Sequence, residues 1–227
     1  MPSRRQIEQL HDVTWAGAVS TSIVTCLQWH VASNAMRGSV PEMARTQVPL
    51  PLVYRLLNHG PATLVSTRDG DRANVMAAQW VMPVDFDPPK LAVVLDRTTY
   101  TRKLIDASGV LAIQIPERAQ AQLTQEVGST SGANRDKLAA IETFPGDMLD
   151  VPLIAGCLAW LECRVAHSPA LDEVARELDL FVVDVVAASA DDRYWRGKGI
   201  ALDTVQTIHH LGGGRYVLSG ESVEARR

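Results

Sequence analysis

The sequence predicts a mainly β fold, a closed antiparallel barrel with helices inserted between some of its strands. Short apolar runs recur along the chain and are separated by turn residues, which is typical of strands. Asp69-Gly70 lies between two of these runs and favours a hairpin. The runs do not alternate regularly with helical patterns, so a parallel βαβ arrangement is excluded. We therefore expect six or seven strands in hairpin order.

Turn and breaker residues set the bounds of the predicted elements. The Asp69-Gly70 turn joins the first two strands, Pro83 stops the second strand, and Gly109 ends the first helix. In chain order the predicted elements are strands over 62–67, 73–84 and 90–96, a helix over 100–108, a strand over 110–116, helices over 117–127 and 133–142, and strands over 157–168, 178–190 and 214–220.

The composition is that of a globular protein. The chain has 227 residues, of which 46% are hydrophobic and 21% are charged, and its net charge is −4. A negative net charge argues against a nucleic-acid partner, because such proteins need a basic face. Three cysteines without a CxxC pair exclude a disulfide framework and a cysteine-rich zinc site, and they indicate buried thiols in a reducing cytoplasm. We expect no bound metal and no membrane partner.

The first stretch of the chain differs from the rest, since residues 13–36 contain no Asp, Glu, Lys or Arg. One interpretation is a secretory signal that follows Arg4 and Arg5. The other is a start placed too far upstream or a leader added in cloning, because Met36 and Met43 are also in-frame starts. We therefore predict an extension over 1–44, one domain over 45–220 and a tail over 221–227.

Sequence motifs for common catalytic sites are missing. The chain contains no P-loop, GxGxxG, GxSxG or HExxH pattern, and no Ser/His/Asp set stands out. A hydrolase that depends on side-chain chemistry is therefore poorly supported. Three other segments are candidates for ligand binding.

The first candidate segment, residues 97–103, follows a strand and begins a helix. Hydroxyl groups such as that of Thr99 cap free backbone N–H groups there, and the helix dipole favours an anion. Arg97, Arg102 and Lys103 add positive charge for a phosphate. The alternative is a plain helix cap with solvated basic residues.

The second candidate segment, residues 128–132, contains two glycines and Ser131 and is followed by Arg135 and Lys137. Glycines allow a close backbone approach to a ligand, and the predicted helix after Gly132 would present its N-terminus. The alternative is a flexible loop with a serine cap.

The third candidate segment is the strand from Asn74 to Trp80. Small residues in this strand offer a flat apolar face to an aromatic ring system, and backbone groups can bond the polar edge of the ring. The alternative is an ordinary buried strand. His209 and His210 precede the glycine run 212–214, and adjacent histidines on a strand point to opposite faces, so they do not share a metal. One interpretation is that one of them lines a ligand pocket. The alternative is that one histidine is exposed and the other packs as an ordinary barrel residue.

Taken in order, these segments resemble the flavin reductase-like family of FMN-binding split barrels, which includes flavoredoxin. The resemblance runs from Pro49 to Gly220. It is carried by the stretches GPATLVSTRDGDRANVMAAQWVMPVDFDPPKLAVVL, YTRKLIDASGVLAIQIP, VGSTSGANRDK, CLAWLECRV, LDLFVVDVV and HHLGGGRY. It implies a six-stranded antiparallel barrel, a homodimer, and FMN bound near the dimer interface.

The resemblance also implies roles for single residues. Asn74 matches an asparagine that opens the flavin-contacting strand, and Trp80 matches a tryptophan later in that strand. Thr101 and Lys137 match residues near the phosphate or ribityl group. Backbone contacts to the ring are implied for the residues between, which are Val75, Met76, Ala77 and Ala78. Two positions depart from the family pattern: Asp179 stands where histidine is frequent, and an aromatic residue is replaced around His209-His210.

The expected activity is hydride transfer from NADH or NADPH to flavin, with a monooxygenase as an expected recipient of the reduced flavin. The alternatives are a flavoredoxin-like electron carrier that retains FMN, and a flavin-binding module without redox activity. Hydride transfer to a flavin needs no general acid, so His209 and His210 are the candidates for a catalytic role only as residues that line the open face of the ring.

Overall fold

A seven-stranded antiparallel sheet organises the part of the chain that the computed structural model describes, residues 60–86, 88–195, 200–221, 223 and 225. The strands of this sheet are β1 (Thr63–Asp69), β2 (Arg72–Ala78), β3 (Val81–Phe86), β4 (Pro89–Val94), β5 (Val110–Ile115), β8 (Ala159–Val165) and β9 (Leu180–Ala190). The two short hairpins are β6 (Thr143–Pro145) with β7 (Pro152–Ile154), and β10 (Ile208–Gly212) with β11 (Arg215–Leu218). The helices are α1 (Tyr100–Ser108), α2 (Ala121–Ser129) and α3 (Pro169–Leu178), with 3₁₀ turns at Arg118–Gln120 and Leu138–Ala140.

The sheet closes on itself through one bent segment. The strand order is β2-β1-β5-β8-β9-β4-β3, so the two edge strands are consecutive in sequence and only Gln79 and Trp80 separate them. The carbonyl of Trp80 accepts from the amide of Val94 at 3.0 Å, which fixes the bend against β4. The predicted barrel is therefore confirmed, and β2 and β3 together correspond to one of its six predicted strands.

The core lies inside the curved sheet. Its main cluster contains buried side chains from β1, β2, β4, β5, β8 and β9, and along β4, β5 and β9 they occupy alternate positions, as expected for one buried face. Helix α1 covers one end of it with Ile105 and buries Leu104 beside it. The helix begins at the Thr99 cap and ends at Gly109, whose φ of 69° is left-handed, as the sequence predicts.

Two predicted elements are wrong. The strand predicted over 73–84 is two strands, and Pro83 does not stop it, since β3 is an edge strand where a missing N–H donor is tolerated. The helix predicted over 133–142 is absent apart from the 3₁₀ turn. Asp136 accepts from the amide of Leu138 at 2.9 Å, a local side-chain bond that competes with a helix.

Helix α3 is not among the predicted elements. Its signal is present in the sequence, because Ser168 caps the helix by accepting from the amide of Leu171 at 3.2 Å and Pro169 occupies the first turn. Asp172 and Glu173 lie on this helix.

The two described cysteines are buried, as predicted. Cys163 belongs to the main core cluster, whereas Cys157 precedes β8 and packs in a second cluster with Leu64 and Val75. Burial raises the pKa of each thiol to about 12. The predicted extension over 1–44 lies outside the described residues. In the described ranges no helix is both long and apolar enough to cross a bilayer.

Candidate functional site

A cavity of about 280 Å³ lies where β2, the start of α1 and the segment 127–137 meet. All three segments that the sequence singles out contribute to it, although they are far apart in the chain. The predicted site residues that line this cavity are Asn74, Met76, Thr99, Thr101, Ser131 and Lys137.

The start of α1 presents hydroxyl groups and backbone amides to the cavity. Asp96 shapes the preceding turn by accepting from the amide of Thr98 at 2.7 Å and from its hydroxyl at 2.6 Å, and these bonds lower the pKa of Asp96. Thr99 caps the helix, accepting from the amide of Arg102 at 3.3 Å. The first amides of a helix have no partner within the helix, so this end suits an anion.

Asn74 joins the three segments. Its Nδ2 donates to Oγ1 of Thr101 at 2.7 Å, and both residues are buried. On the other side, a Cβ added to Gly132 would lie 2.1 Å from Oδ1 of Asn74. Position 132 therefore requires glycine, because its backbone closely approaches the side chain of Asn74.

Lys137 supplies positive charge to the cavity. Its Nζ donates to the carbonyls of Val127 at 2.8 Å and Thr130 at 3.0 Å, which leaves one of its three donors for another acceptor. Burial lowers the pKa of Lys137 to about 8. The segment 128–132 lies at the C-terminal end of α2, and no helix begins between Gly132 and Lys137. The helix N-terminus expected after Gly132 is therefore wrong. The positive charge at this side of the cavity comes from Lys137 instead.

A second cavity of about 180 Å³ adjoins the first and shares Gly128 and Ser129 with it. Ala77, Ala78 and His210 line this cavity together with Tyr216. A Cβ on Gly128 would lie 3.1 Å from that of Ala77, so β2 and α2 approach each other closely here. No charged aspartate, glutamate, lysine or arginine is among the described residues that line this second cavity.

The two adjacent histidines point in different directions, as strand alternation predicts. His210 packs beside Tyr216 with ring centroids 5.1 Å apart. His209 lies 3.0 Å from the hydroxyl of Thr207, measured from Nε2 to Oγ1. Of the two, His210 alone lines the second cavity.

Besides His209, the predicted site residues Val75, Trp80 and Arg97 do not line either cavity. The side chain of Val75 is fully buried in the core. Trp80 lies at the bend between β2 and β3 and is 52% exposed. Arg97 donates from Nε to Oδ1 of Asp179 at 2.9 Å and from Nη2 to the carbonyl of Arg176 at 2.6 Å.

The expectation that Arg97 and Arg102 supply charge to a phosphate does not agree with this geometry. Arg102 is buried beneath α1, where Nε bonds Asp106 at 2.9 Å and the guanidinium stacks 4.2 Å above the ring of Phe181. Nη1 of Arg102 also contacts Asp179 at 3.2 Å. Carboxylates already neutralise the charge of both arginines. The sequence places the arginines next to the threonines but does not show that Asp179 pairs with them.

The sequence interpretation missed Gln125 and Tyr216. The hydroxyl of Tyr216 donates to Oε1 of Gln125 at 3.1 Å, which connects the β10–β11 hairpin to α2 across the second cavity. The glycine run 212–214, which precedes Tyr216, is the sequence feature that could have indicated a ligand contact near this residue. Among the described residues no group of three or more His, Cys, Asp or Glu is arranged to hold a metal ion.

Comparison with known families identifies this fold. Residues 55–199 match the family described as flavin reductase like domain. The chain belongs to this family. It is also 40% identical over 190 residues to the uncharacterized protein YddH of Escherichia coli (strain K12), covering 78% of this chain and 97% of that protein.

Solved structures of family members agree in fold. An FMN-binding domain of a flavin reductases-like enzyme from Shewanella baltica OS155 superposes with a TM-score of 0.70 at 42% identity, covering 80% of this chain and 97% of that chain. The flavoredoxin of Desulfovibrio vulgaris (Miyazaki F) superposes with a TM-score of 0.65 at 28% identity, covering 84% and 97%. Both comparisons support the split-barrel fold expected from the sequence.

Proposed function

We propose that this chain binds FMN in the two adjoining cavities, with the phosphate in the larger cavity and the ring system toward the smaller one. The observation that carries the proposal is the convergence of Thr99, Thr101 and Lys137 on one cavity beside an uncharged second cavity. A phosphate needs donors and positive charge, whereas a flat ring needs small neutral neighbours. The two ends of FMN therefore match the two cavities.

The phosphate end relies on local donors. The net charge of the chain is −4, so general attraction of anions does not explain binding. The hydroxyl of Thr101 and the first amides of α1 are directed donors, whereas the hydroxyls of Thr98 and Thr99 already donate to Asp96. The ammonium of Lys137 adds one positive charge in a half-buried position. Such a set holds a phosphate by geometry as well as by charge.

The ring end relies on small side chains and close packing. Ala77 and Ala78 leave room beside β2, and His210 and Tyr216 form an aromatic wall opposite. Backbone groups of Val75 and Met76 lie on the same strand between the two cavities. Trp80, which follows this strand at the bend, is exposed.

We propose further that the protein is an NADH- or NADPH-dependent flavin reductase. Bound FMN supplies the hydride chemistry, and the chain holds the cofactor in place and controls access to it. Asn74 and Gly132 fix the phosphate end relative to β2, and His210 lines the ring end. A cytoplasmic location and a monooxygenase as recipient of the reduced flavin are parts of this proposal.

A flavoredoxin-like electron carrier is the second candidate. It is favoured by the similarity to the flavoredoxin of Desulfovibrio vulgaris and by Asp179, which departs from the histidine frequent in the family. The two candidates differ in how firmly FMN is held. Yellow colour that survives gel filtration, with slow NADH oxidation, would favour the carrier.

We also propose a homodimer formed through the β2–β3 bend and the edge strand β3. Trp80, Met82 and Val84 are 52%, 60% and 54% exposed and follow one another at alternate positions. An exposed apolar edge strand is a typical interface with a second copy. Light scattering after gel filtration should give twice the mass of the chain, and Met82→Asp should give the monomer. A wild-type monomer at micromolar concentration would contradict the dimer.

The main test measures FMN binding directly. Quenching of FMN fluorescence on titration with the protein should be saturable, and the double variant Thr101→Ala, Lys137→Ala should bind FMN at least about tenfold more weakly, since it loses a hydroxyl and a charge. Equal affinity of the variant would show that the phosphate lies elsewhere. Rapid NADH or NADPH oxidation with excess free FMN separates the reductase from the carrier.

A further inference from the structure

Asp179 has an unusual backbone conformation for its residue type. Among the described residues it is the one residue other than glycine with a positive φ, 57°, and it caps the C-terminal end of α3. Aspartate and asparagine tolerate this left-handed conformation better than other side chains do. The carbonyl of Asp179 accepts from the amide of Leu95 at 3.0 Å, so the residue is fixed against the end of β4.

The carboxylate of Asp179 holds both ends of the segment from Arg97 to Arg102. Oδ1 accepts from Nε of Arg97 at 2.9 Å and from Nη1 of Arg102 at 3.2 Å. Oδ2 accepts from the backbone amide of Arg97 at 3.4 Å. One side chain, 82 residues away in sequence, therefore contacts the residue before and the residue after the hydroxyl-rich turn.

The residues between these two anchors face the larger cavity. Thr98, Thr99, Tyr100 and Thr101 all line it, whereas Arg97, Arg102 and Asp179 do not. The guanidinium groups are directed away from the cavity by the carboxylate and by main-chain carbonyls of α3. The turn is therefore held in place by groups that do not line the cavity.

We propose that Asp179 is a positioning residue for the phosphate end of the flavin site. By holding Arg97 and Arg102 it keeps the Thr101 hydroxyl and the first amides of α1 directed into the cavity. This inference rests on the proposed binding of FMN. It assigns a role to the position where the chain departs from its family, and it explains why two arginines next to the phosphate end are not themselves phosphate ligands.

The test compares FMN with riboflavin, which has the same ring but no phosphate. Asp179→Asn keeps the size of the side chain and its tolerance for the left-handed backbone, and it removes the negative charge that holds the arginines. We expect the Kd for FMN to rise about tenfold, as for the loss of charge-assisted hydrogen bonds, and the Kd for riboflavin to change less than about twofold. Asp184→Asn, on strand β9, which begins directly after Asp179, and paired with Lys90, is the matched control and should leave both affinities unchanged.

A second variant keeps the inference testable if Asp179→Asn unfolds. Arg97 is 57% exposed, so Arg97→Gln should fold, and it should also weaken FMN binding but not riboflavin binding. Where both single variants fold, the double variant Asp179→Asn, Arg97→Gln should bind FMN no more weakly than the weaker-binding of the two single variants, because both changes break the same link.

The results of these measurements distinguish a positioning role of Asp179 from a general structural role and from failure of the proposed function. Equal loss of FMN and riboflavin would reduce Asp179 to a general structural role and overturn the inference. Unchanged or tighter FMN binding would also overturn it, since a released arginine would then be a phosphate ligand. Failure of the wild-type protein to bind FMN would instead refute the proposed function, on which this inference depends.

Discussion

Asn74 donates a hydrogen bond from Nδ2 to Oγ1 of Thr101 at 2.7 Å, and this bond joins strand β2 to the first turn of α1. The two residues are 2% and 1% exposed, so water does not compete for the bond. Gly132 packs against the opposite side of the same amide. The relative position of the strand, the helix and the 128–132 segment therefore depends on one asparagine side chain, and these three elements form the larger cavity.

Gly132→Ala should weaken FMN binding strongly. The added Cβ would lie 2.1 Å from Oδ1 of Asn74, a distance that real Cβ atoms do not show, so either the asparagine or the loop must shift. A displaced Asn74 loses its bond to Thr101. We expect at least about a tenfold increase in the Kd for FMN, measured by fluorescence quenching, as for the loss of one buried hydrogen bond and its geometry.

The control for this substitution is Gly220→Ala. Gly220 has open space around its Cβ position and an ordinary φ, so the same change there should not affect FMN binding or the melting temperature. If Gly132→Ala binds FMN with the affinity of the wild-type protein, the contact between Gly132 and Asn74 is not required for the site.

FMN affinity should fall as the pH rises through about 8. Burial lowers the pKa of Lys137 from its ordinary value of 10.5 to about 8, so the ligand-free protein loses this positive charge above that pH. A bound phosphate favours the charged ammonium, and binding should therefore take up a proton near pH 8. The Kd for FMN, measured from pH 6.5 to 9.5, should be level below pH 7 and should rise above pH 8.

Two comparisons isolate Lys137 in this experiment. Lys137→Met should bind FMN more weakly and without the rise above pH 8, and riboflavin should show no such dependence. The sign for stability is the opposite: between pH 8 and 10.5 the unfolded chain holds more protons at this position than the folded one, so this lysine makes the ligand-free protein more stable as the pH rises. A Kd for FMN that is level up to pH 9.5 would contradict the role of Lys137.

The sequence was sufficient where the determinants are local. The Asp69-Gly70 turn, the Thr99 cap and the Gly109 end of α1 each depend on residues a few positions apart, and all are present in the structure. The segment 133–142 was predicted as a helix because its pattern resembles one, but the bond from the Leu138 amide to Asp136 stops it. A single side-chain bond of this kind is not apparent from periodicity.

The site was only partly predictable for a related reason. Asn74, Thr101 and Lys137 were identified by residue type and by resemblance, and the fold brings them together. Arg97 and Arg102 have the right charge in the right segment, but Asp179 pairs with both from 77 residues or more away. The sequence indicates which residues can bind an anion, and the tertiary partners decide which of them are already paired.

Replacing Arg102 should destabilise the protein without direct involvement of a ligand. Its side chain is 7% exposed and bonds Asp106, Asp179 and the carbonyls of Leu95 and Ala175. Arg102→Met removes a buried charge beside the Asp179 carboxylate and leaves the main-chain carbonyls of Leu95 and Ala175 without this donor, which costs about 3 kcal/mol of unfolding free energy. Urea unfolding measures it, with the exposed Lys103→Met as the control on the same helix. A loss below about 1 kcal/mol would mean that water replaces the guanidinium.

His210 and His209 should differ in their effect on flavin reduction. His210 lines the smaller cavity beside Ala77 and Ala78 and packs against Tyr216, whereas His209 contacts Thr207. In stopped-flow reduction at saturating FMN, His210→Ala should lower the rate of reduction by NADH about tenfold, the cost of one lost hydrogen bond or stacking contact at the ring, and His209→Ala should change it less than about twofold. Measuring the Kd for FMN of both variants first ensures that the rates compare bound flavin only. If both variants are reduced at the wild-type rate, the two histidines are structural, and reduction depends on the position of the ring against β2 alone.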